Sequence, residues 1–172
     1  MDMQELLTYV DKTSPPAPEK EIARLEAEIG AKLPEDYRQF LVQCNGGHVG
    51  GMLWFRGPTA EGGTTDAGIN HIGGFREESH FSLEWARECY QDDDDLRIPG
   101  ELLWIMDDPF GNAICLGVSG HHRGRVYFWD HEEEPDPEDW DGSVETAGNL
   151  QLLANSFTEF VAGLVPLPED ED

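Results

Sequence analysis

Two stretches of this chain constrain its fold more than any others. Leu25–Gly47 reads LEAEIGAKLPEDYRQFLVQCNGG: an apolar stripe at helical intervals, a glycine, a Leu-Pro step, a second stripe and an Asn-Gly-Gly stop. Leu103–Glu132 reads LWIMDDPFGNAICLGVSGHHRGRVYFWDHE: three short apolar runs separated by turn-forming Asp, Gly and Asn. A helix pair and a run of hairpin strands must bury the stripes of one against a face of the other. The predicted class is therefore α+β, with a central, mostly antiparallel sheet flanked by helices.

The rest of the chain extends this pattern. Met3–Asp11 predicts a short helix, ended by Pro15-Pro16-Ala17-Pro18, which cannot continue it. Pro18 suits the first turn of the next helix, whose stripe is Ile22, Leu25 and Ile29 and whose left-handed cap is Gly30. Tyr37, Phe40, Leu41 and Cys44 share one face of the helix that Gly46 ends. His48–Phe55 predicts a strand, and Arg56–Phe75 a glycine-rich loop with a strand near Ile69–Ile72. Ser82 is expected to cap a helix with Leu83, Ala86 and Tyr90 on one face; strands follow at Leu102–Met106, Ala113–Val118 and Arg125–Trp129. Asn149 is expected to cap a last helix with Leu150, Leu153, Phe157, Phe160, Val161 and Leu164 on its apolar face, ended by Pro166. The expected core comprises Leu25, Ile29, Tyr37, Phe40, Leu41, Trp104, Ile114, Phe128, Phe157 and Val161. At 172 residues the chain fits a single domain, residues 1–172, with an acidic loop near 130–142 and an acidic C-terminal tail.

The motif Leu33-Pro34-Glu35-Asp36-Tyr37, with Phe40-Leu41, Asn45-Gly46-Gly47, Gly111-Asn112 and Phe128-Trp129-Asp130-His131, resembles the SUKH superfamily over roughly residues 18 to 132. Its best-known members are bacterial immunity proteins, and the yeast cell-wall assembly regulator is a eukaryotic relative. The resemblance implies a SUKH-like domain that acts by stoichiometric binding.

Charge bears on the partner. Thirty-six acidic residues oppose 11 basic ones, and residues 91–172 hold 21 of the acids against 3 bases. Such a field repels nucleic acid and anionic membrane and attracts basic surfaces from a distance. Asp92, Asp93, Asp94 and Asp95 form one cluster. Eight of the twelve residues from Asp130 to Asp141 are acidic and form a second, expected to be an extended, self-repelling loop. The candidate partner-binding residues are Asp92–Asp95, Trp129, Asp130, Glu132, Glu133, Glu134, Asp136 and Trp140, with Trp129 and Trp140 as aromatic anchors. In an antiparallel meander of three strands, entry and exit fall at opposite ends, so the two clusters need not form one patch.

Catalytic constellations are weak. His121, His122, Asp130 and His131 carry ligand chemistry, but one strand holds His122 and His131 roughly 25 Å apart if extended. Adjacent Asp107 and Asp108 share one turn and point in diverging directions, which suits turn formation better than paired acid–base work. Ser119 lies too close in sequence to His121 and His122 for a triad, and no nucleophile elbow or phosphate loop occurs. Cys44, Cys89 and Cys115, odd in number and widely spaced, predict buried thiols. The expectations are thus no catalytic residue, no required metal and no cofactor.

With no leader pattern and no apolar run approaching ~18 residues, the mature protein is expected in the cytoplasm. The reading is an immunity protein, monomeric when free, that neutralises a cognate toxin with a basic surface, such as a nuclease. It has no direct nucleic-acid or membrane contact. The alternative is an intracellular scaffold or regulatory domain.

Overall fold

The computed structural model describes residues 1–11, 15–59, 61–63, 65–76, 81–92 and 94–167, with backbone only at 50–52. Among them, an antiparallel sheet of eight strands forms the centre: β1 (Val10–Asp11), β2 (Gly47–Phe55), β3 (Ala67–Ile72), β6 (Leu102–Asp107), β7 (Ala113–Gly117), β8 (Val126–Trp129), β9 (Leu150–Ala154) and β10 (Leu164–Pro166). Their order is β1-β2-β3-β6-β7-β8-β9, and β10 shares the outer edge of β2 with β1. The short pair β4 (Gln91–Asp92) and β5 (Asp95–Leu96) forms a separate hairpin. The helices are α1 (Met3–Tyr9), α2 (Glu19–Ile29), α3 (Glu35–Gln43), α4 (Leu83–Tyr90) and α5 (Phe157–Ala162).

Every position of β7 is buried, as are all but the last of β6, so the middle of the sheet is covered on both faces. That explains why these strands read as continuous apolar runs rather than alternating ones. Tyr37 and Phe40 of α3 pack on Phe157 of α5, with ring centroids 5.2 and 5.1 Å apart, and Phe160 stacks on Phe55 of β2. Eight of the ten expected core residues are buried; Ile29 and Phe128 are partly so.

The helix ends follow local chemistry. Gly30 closes α2 with φ of 68°, and Ser82 caps α4 by accepting from the Trp85 amide. Glu26 is buried, yet its carboxylate accepts from the Leu33 amide (3.1 Å) and Lys32 Nζ (2.6 Å). It therefore satisfies the chain between α2 and α3.

The largest departure from expectation lies near the C-terminus. Leu150–Ala154 is not the start of a helix but β9, paired with the free edge of β8. The apolar spacing from Leu150 to Leu164 fits a helical period. However, the backbone of β8 has ladder bonds to satisfy, and Asn155-Ser156 breaks the segment. Ser156, not Asn149, caps the helix, accepting from the Glu159 amide (3.1 Å). Asn149 instead ties the β8–β9 end: its Nδ2 donates to the Asp130 carbonyl (2.8 Å), and the Asp130 amide donates back to its carbonyl (3.0 Å). Pro166 ends no helix; it sits at the close of the edge strand β10, where its missing N–H is tolerated. Helix α3 ends at Gln43, earlier than Gly46. The acidic tail expected at Glu169–Asp172 lies outside the described residues.

Candidate functional site

The motif residues turn out to hold the framework. Asp36 accepts from the Thr158 amide (2.9 Å) and hydroxyl (3.1 Å), joining the start of α3 to the start of α5. Asn45 accepts from the Phe75 amide (2.7 Å) and donates to its carbonyl (3.3 Å). Gly46 has φ of 73°, and a Cβ on Gly74 would stand 2.4 Å from the Asn45 backbone, so the Asn-Gly-Gly turn docks flat on Gly74. Buried Asp108 accepts from the amides of Phe110 and Asn112 and from Asn112 Nδ2, all at 2.8 Å. Asn112 Oδ1 in turn accepts from the His131 amide (3.2 Å) and lies 2.8 Å from His131 Nδ1. The β6–β7 turn is thus pinned to the root of the acidic loop.

Asp107 diverges from Asp108, as expected for a turn. Its carboxylate meets the His71 amide (2.8 Å) and Nδ1 (3.1 Å); burial pushes its pKa up, against the opposing pull of His71. Cys44 and Cys115 are buried and Cys89 half-buried, and burial raises the thiols of Cys115 and Cys89 away from the thiolate range.

The two acidic clusters, whose relation strand counting left open, come together at Asp95, Arg97 and Glu134. Arg97 follows the β4–β5 hairpin and lies over the rings of Tyr90 (5.3 Å) and Trp129 (5.5 Å). Its guanidinium binds Glu134 in two places, through Nε at 3.0 Å and through Nη2. The segment after α4 is thus tied at both ends: Gln91 Nε2 donates to the Leu102 carbonyl (2.8 Å) at the start of β6, and Arg97 reaches the Trp129 ring of β8. Hydrogen bonding to the Glu134 carboxylate is the main cause that raises the Arg97 pKa above the usual arginine value.

Around this latch, Asp92, Asp94, Asp95, Glu132, Glu133 and Asp136 are exposed, and among the described residues none of them makes an ion pair. Asp93 lies outside the described residues. Glu134 is only half-exposed and serves as the Arg97 partner. Asp130 is likewise half-buried and accepts from the Glu132 amide (2.9 Å).

The loop is not extended. A 3-10 turn at His131–Glu133 opens it, and Asp136 and Asp141 each accept from the amide two residues on (3.0 Å). These short local bonds let the acidic side chains fold back on their own backbone despite mutual repulsion.

One expected anchor is corrected. Trp129 has 0% exposure, beneath Tyr90 and Arg97, and cannot offer its ring to a partner. Trp140 is half-buried, donates through Nε1 to the Ser143 carbonyl (3.0 Å), and lines a cleft of about 220 Å³ with Asp95, Leu96, Arg97, Glu134, Pro135 and Pro137. The aromatic that sequence reasoning missed is Phe110. It is 66% exposed at the tip of the Asp108 turn, whose Gly111 lies against the His131 ring. An aromatic inside a polar DDPFGN turn, with no core face to point to, was the available signal.

Fold and surface together define a single-domain α+β protein whose distinctive outward feature, among the described residues, is an uncompensated acidic face around one bound arginine. The chain belongs to the SMI1 / KNR4 family (SUKH-1), whose model matches residues 16–163. It is similar to the SPbeta prophage-derived uncharacterized protein YokK of Bacillus subtilis (strain 168), at 28% identity over 167 residues that cover 89% of this chain and 77% of that relative. No solved structure matches it significantly. Among the described residues, no helix is long and apolar enough to cross a membrane.

Proposed function

We propose that this protein is an immunity protein that binds a cognate toxin domain with a basic surface and blocks it stoichiometrically. Membership of a family generally made up of non-catalytic immunity proteins supports the class. The observation that carries the partner's chemistry is the joining of the two acidic clusters by Arg97 and Glu134. That junction turns two separate charge runs into one carboxylate face.

A toxin that acts on nucleic acid needs a cationic cleft for phosphates, and a carboxylate face complements that cleft without being able to react. Steering between such surfaces lifts association toward ~10⁸–10⁹ M⁻¹s⁻¹, the speed a cell needs when free toxin is lethal. Bidentate Arg–carboxylate pairs then add geometric selection. In this reading Asp92, Asp94, Asp95, Glu132, Glu133 and Asp136 supply the field. Trp140, in its cleft, and Phe110, on its rigid turn, supply the slow-to-leave contacts. The test is co-expression with a toxin domain encoded beside this chain. Rescue of growth and a 1:1 complex on size exclusion support the proposal. Undiminished toxicity with no complex overturns it.

A further inference from the structure

The turn between β7 and β8 has a construction that the acidic face does not use. A Cβ on Gly117 would stand 1.8 Å from the His122 carbonyl oxygen, so only glycine lets the chain fold back there. The Gly117 amide donates to the Arg125 carbonyl (2.8 Å), and the Arg125 amide to the His122 carbonyl (2.9 Å). Arg123 Nη2 donates to the Lys32 and Leu33 carbonyls (3.0 and 3.2 Å), fixing the turn against the α2–α3 junction. Two neighbouring imidazoles, His121 and His122, are thereby held with ring centroids 3.9 Å apart.

His122 is 5% exposed. Its Nδ1 lies 2.7 Å from the Tyr127 hydroxyl on β8, which leaves Nε2 as the outward donor atom. Both His122 Nε2 (3.0 Å) and His121 Nε2 (3.1 Å) meet one oxygen of Glu145, on the segment that leads into β9. All three donor atoms lie within 4.8 Å of one another. A tetrahedral zinc ion with bonds of about 2.0–2.2 Å sets its donors roughly 3.3–3.6 Å apart, so the two imidazole–carboxylate distances need widen by only a few tenths of an ångström to admit one. Two imidazoles and one carboxylate form a donor set for late first-row divalent cations, and a hydrogen bond on the far nitrogen of a ligating histidine is the usual support. His131 stays out of this group, on Asn112, as its place at the far end of the strand led one to expect; Glu145, 23 residues from His122, is the carboxylate that meets the two imidazoles.

We propose that His121, His122 and Glu145 bind Zn²⁺ or a chemically similar divalent cation, with Tyr127 orienting His122. The cation ties the β7–β8 turn to the 143–147 segment. Its fourth position faces solvent, because His121 and Glu145 are both exposed.

The test is titration of the metal-free full chain with Zn²⁺ by calorimetry, and with Co²⁺ by visible absorption. One site per chain, a four- or five-coordinate cobalt spectrum and a raised Tm are expected, unaffected by excess Mg²⁺, which prefers oxygen donors. His121→Ala and Glu145→Gln, at exposed positions that leave the fold intact, each weaken binding at least ~10-fold, and Tyr127→Phe weakens it about 10–100-fold. Binding that is multi-site, displaced by Mg²⁺, or unchanged in both exposed variants would mean cations gathered by the general acidic surface, and it overturns the proposal.

Discussion

Replacing Arg97 with Met isolates the junction that makes the acidic face. Met keeps an apolar stem against Tyr90 and Trp129 and removes only the guanidinium. The lost bidentate pair has side-chain exposures of 35% and 24%, so solvent weakens it; a charge-assisted contact of this kind contributes about 1–2 kcal/mol. Loss of the cation over two rings adds roughly 0.5–1 kcal/mol. Glu134 is then left among like charges, which pushes the total to ~2–3 kcal/mol. In a chain of this size that lowers Tm by about 4–12 °C. Urea denaturation gives the energy, and amide hydrogen exchange gives the place: residues 131–141 should lose protection while the β6–β8 core keeps it. Arg97→Lys, which keeps charge but not the fork, should recover less than half. A loss below about 0.5 kcal/mol with unchanged loop protection would refute the reasoning.

Three further outcomes test the framework. Phe40→Ala, at 2% exposure beside Phe157, should cost ~3–5 kcal/mol by chemical denaturation. Asp108→Ala leaves two amides and one side-chain NH₂ without their acceptor and should cost about 2–4 kcal/mol; Asp108→Asn keeps the Oδ1 acceptor and should cost less. Glu26→Gln should cost about 1–2 kcal/mol at neutral pH. Burial pushes the Glu26 pKa up, but the bonds from Lys32 and the Leu33 amide and the nearby Arg38 outweigh it and leave it lowered. A lowered folded pKa means stability that is present above the ordinary glutamate value of ~4.3 and lost as pH falls through the folded pKa. The gap between wild type and Glu26→Gln should therefore be flat from pH 7 to 5 and close below ~4.3.

What the sequence could and could not reveal follows from the range of the forces involved. Local signals were legible: the Gly30 and Ser82 caps, the aromatic stripe of α3 and the three strands from Leu102 to Trp129 all depend on neighbours within a few residues. Leu150–Ala154 misled because helical spacing and pairing with a distant strand edge compete, and only the fold decides which wins. The meeting of Asp95 with Glu134 was illegible for the same reason. It rests on where one arginine, outside both runs, finds two aromatic rings. Trp129 stands where strand patterning alone predicts no burial by α4, and Glu145 carries no motif at all. The SUKH-like motif was legible as a family mark, yet Asp36, Asn45, Asp108 and Asn112 prove to bind the chain's own backbone and side chains rather than to present a surface.

The central claim is that carboxylates on this face recruit a basic toxin. Stopped-flow association with a basic toxin domain that the protein neutralises in co-expression tests it most directly, comparing wild type with the Glu132→Gln, Glu133→Gln, Asp136→Asn triple variant across ionic strength. All three positions are exposed and make no ion pair among the described residues, and Asp136→Asn keeps the Oδ1 that accepts from the Glu138 amide, so the loop is preserved. Exposed charges act over about 8 Å at physiological salt. Wild-type association should therefore fall steeply with added salt, and the triple variant should associate severalfold more slowly with a flatter salt dependence and a nearly unchanged dissociation rate. Equal association rates for the two proteins at every salt concentration would contradict the account.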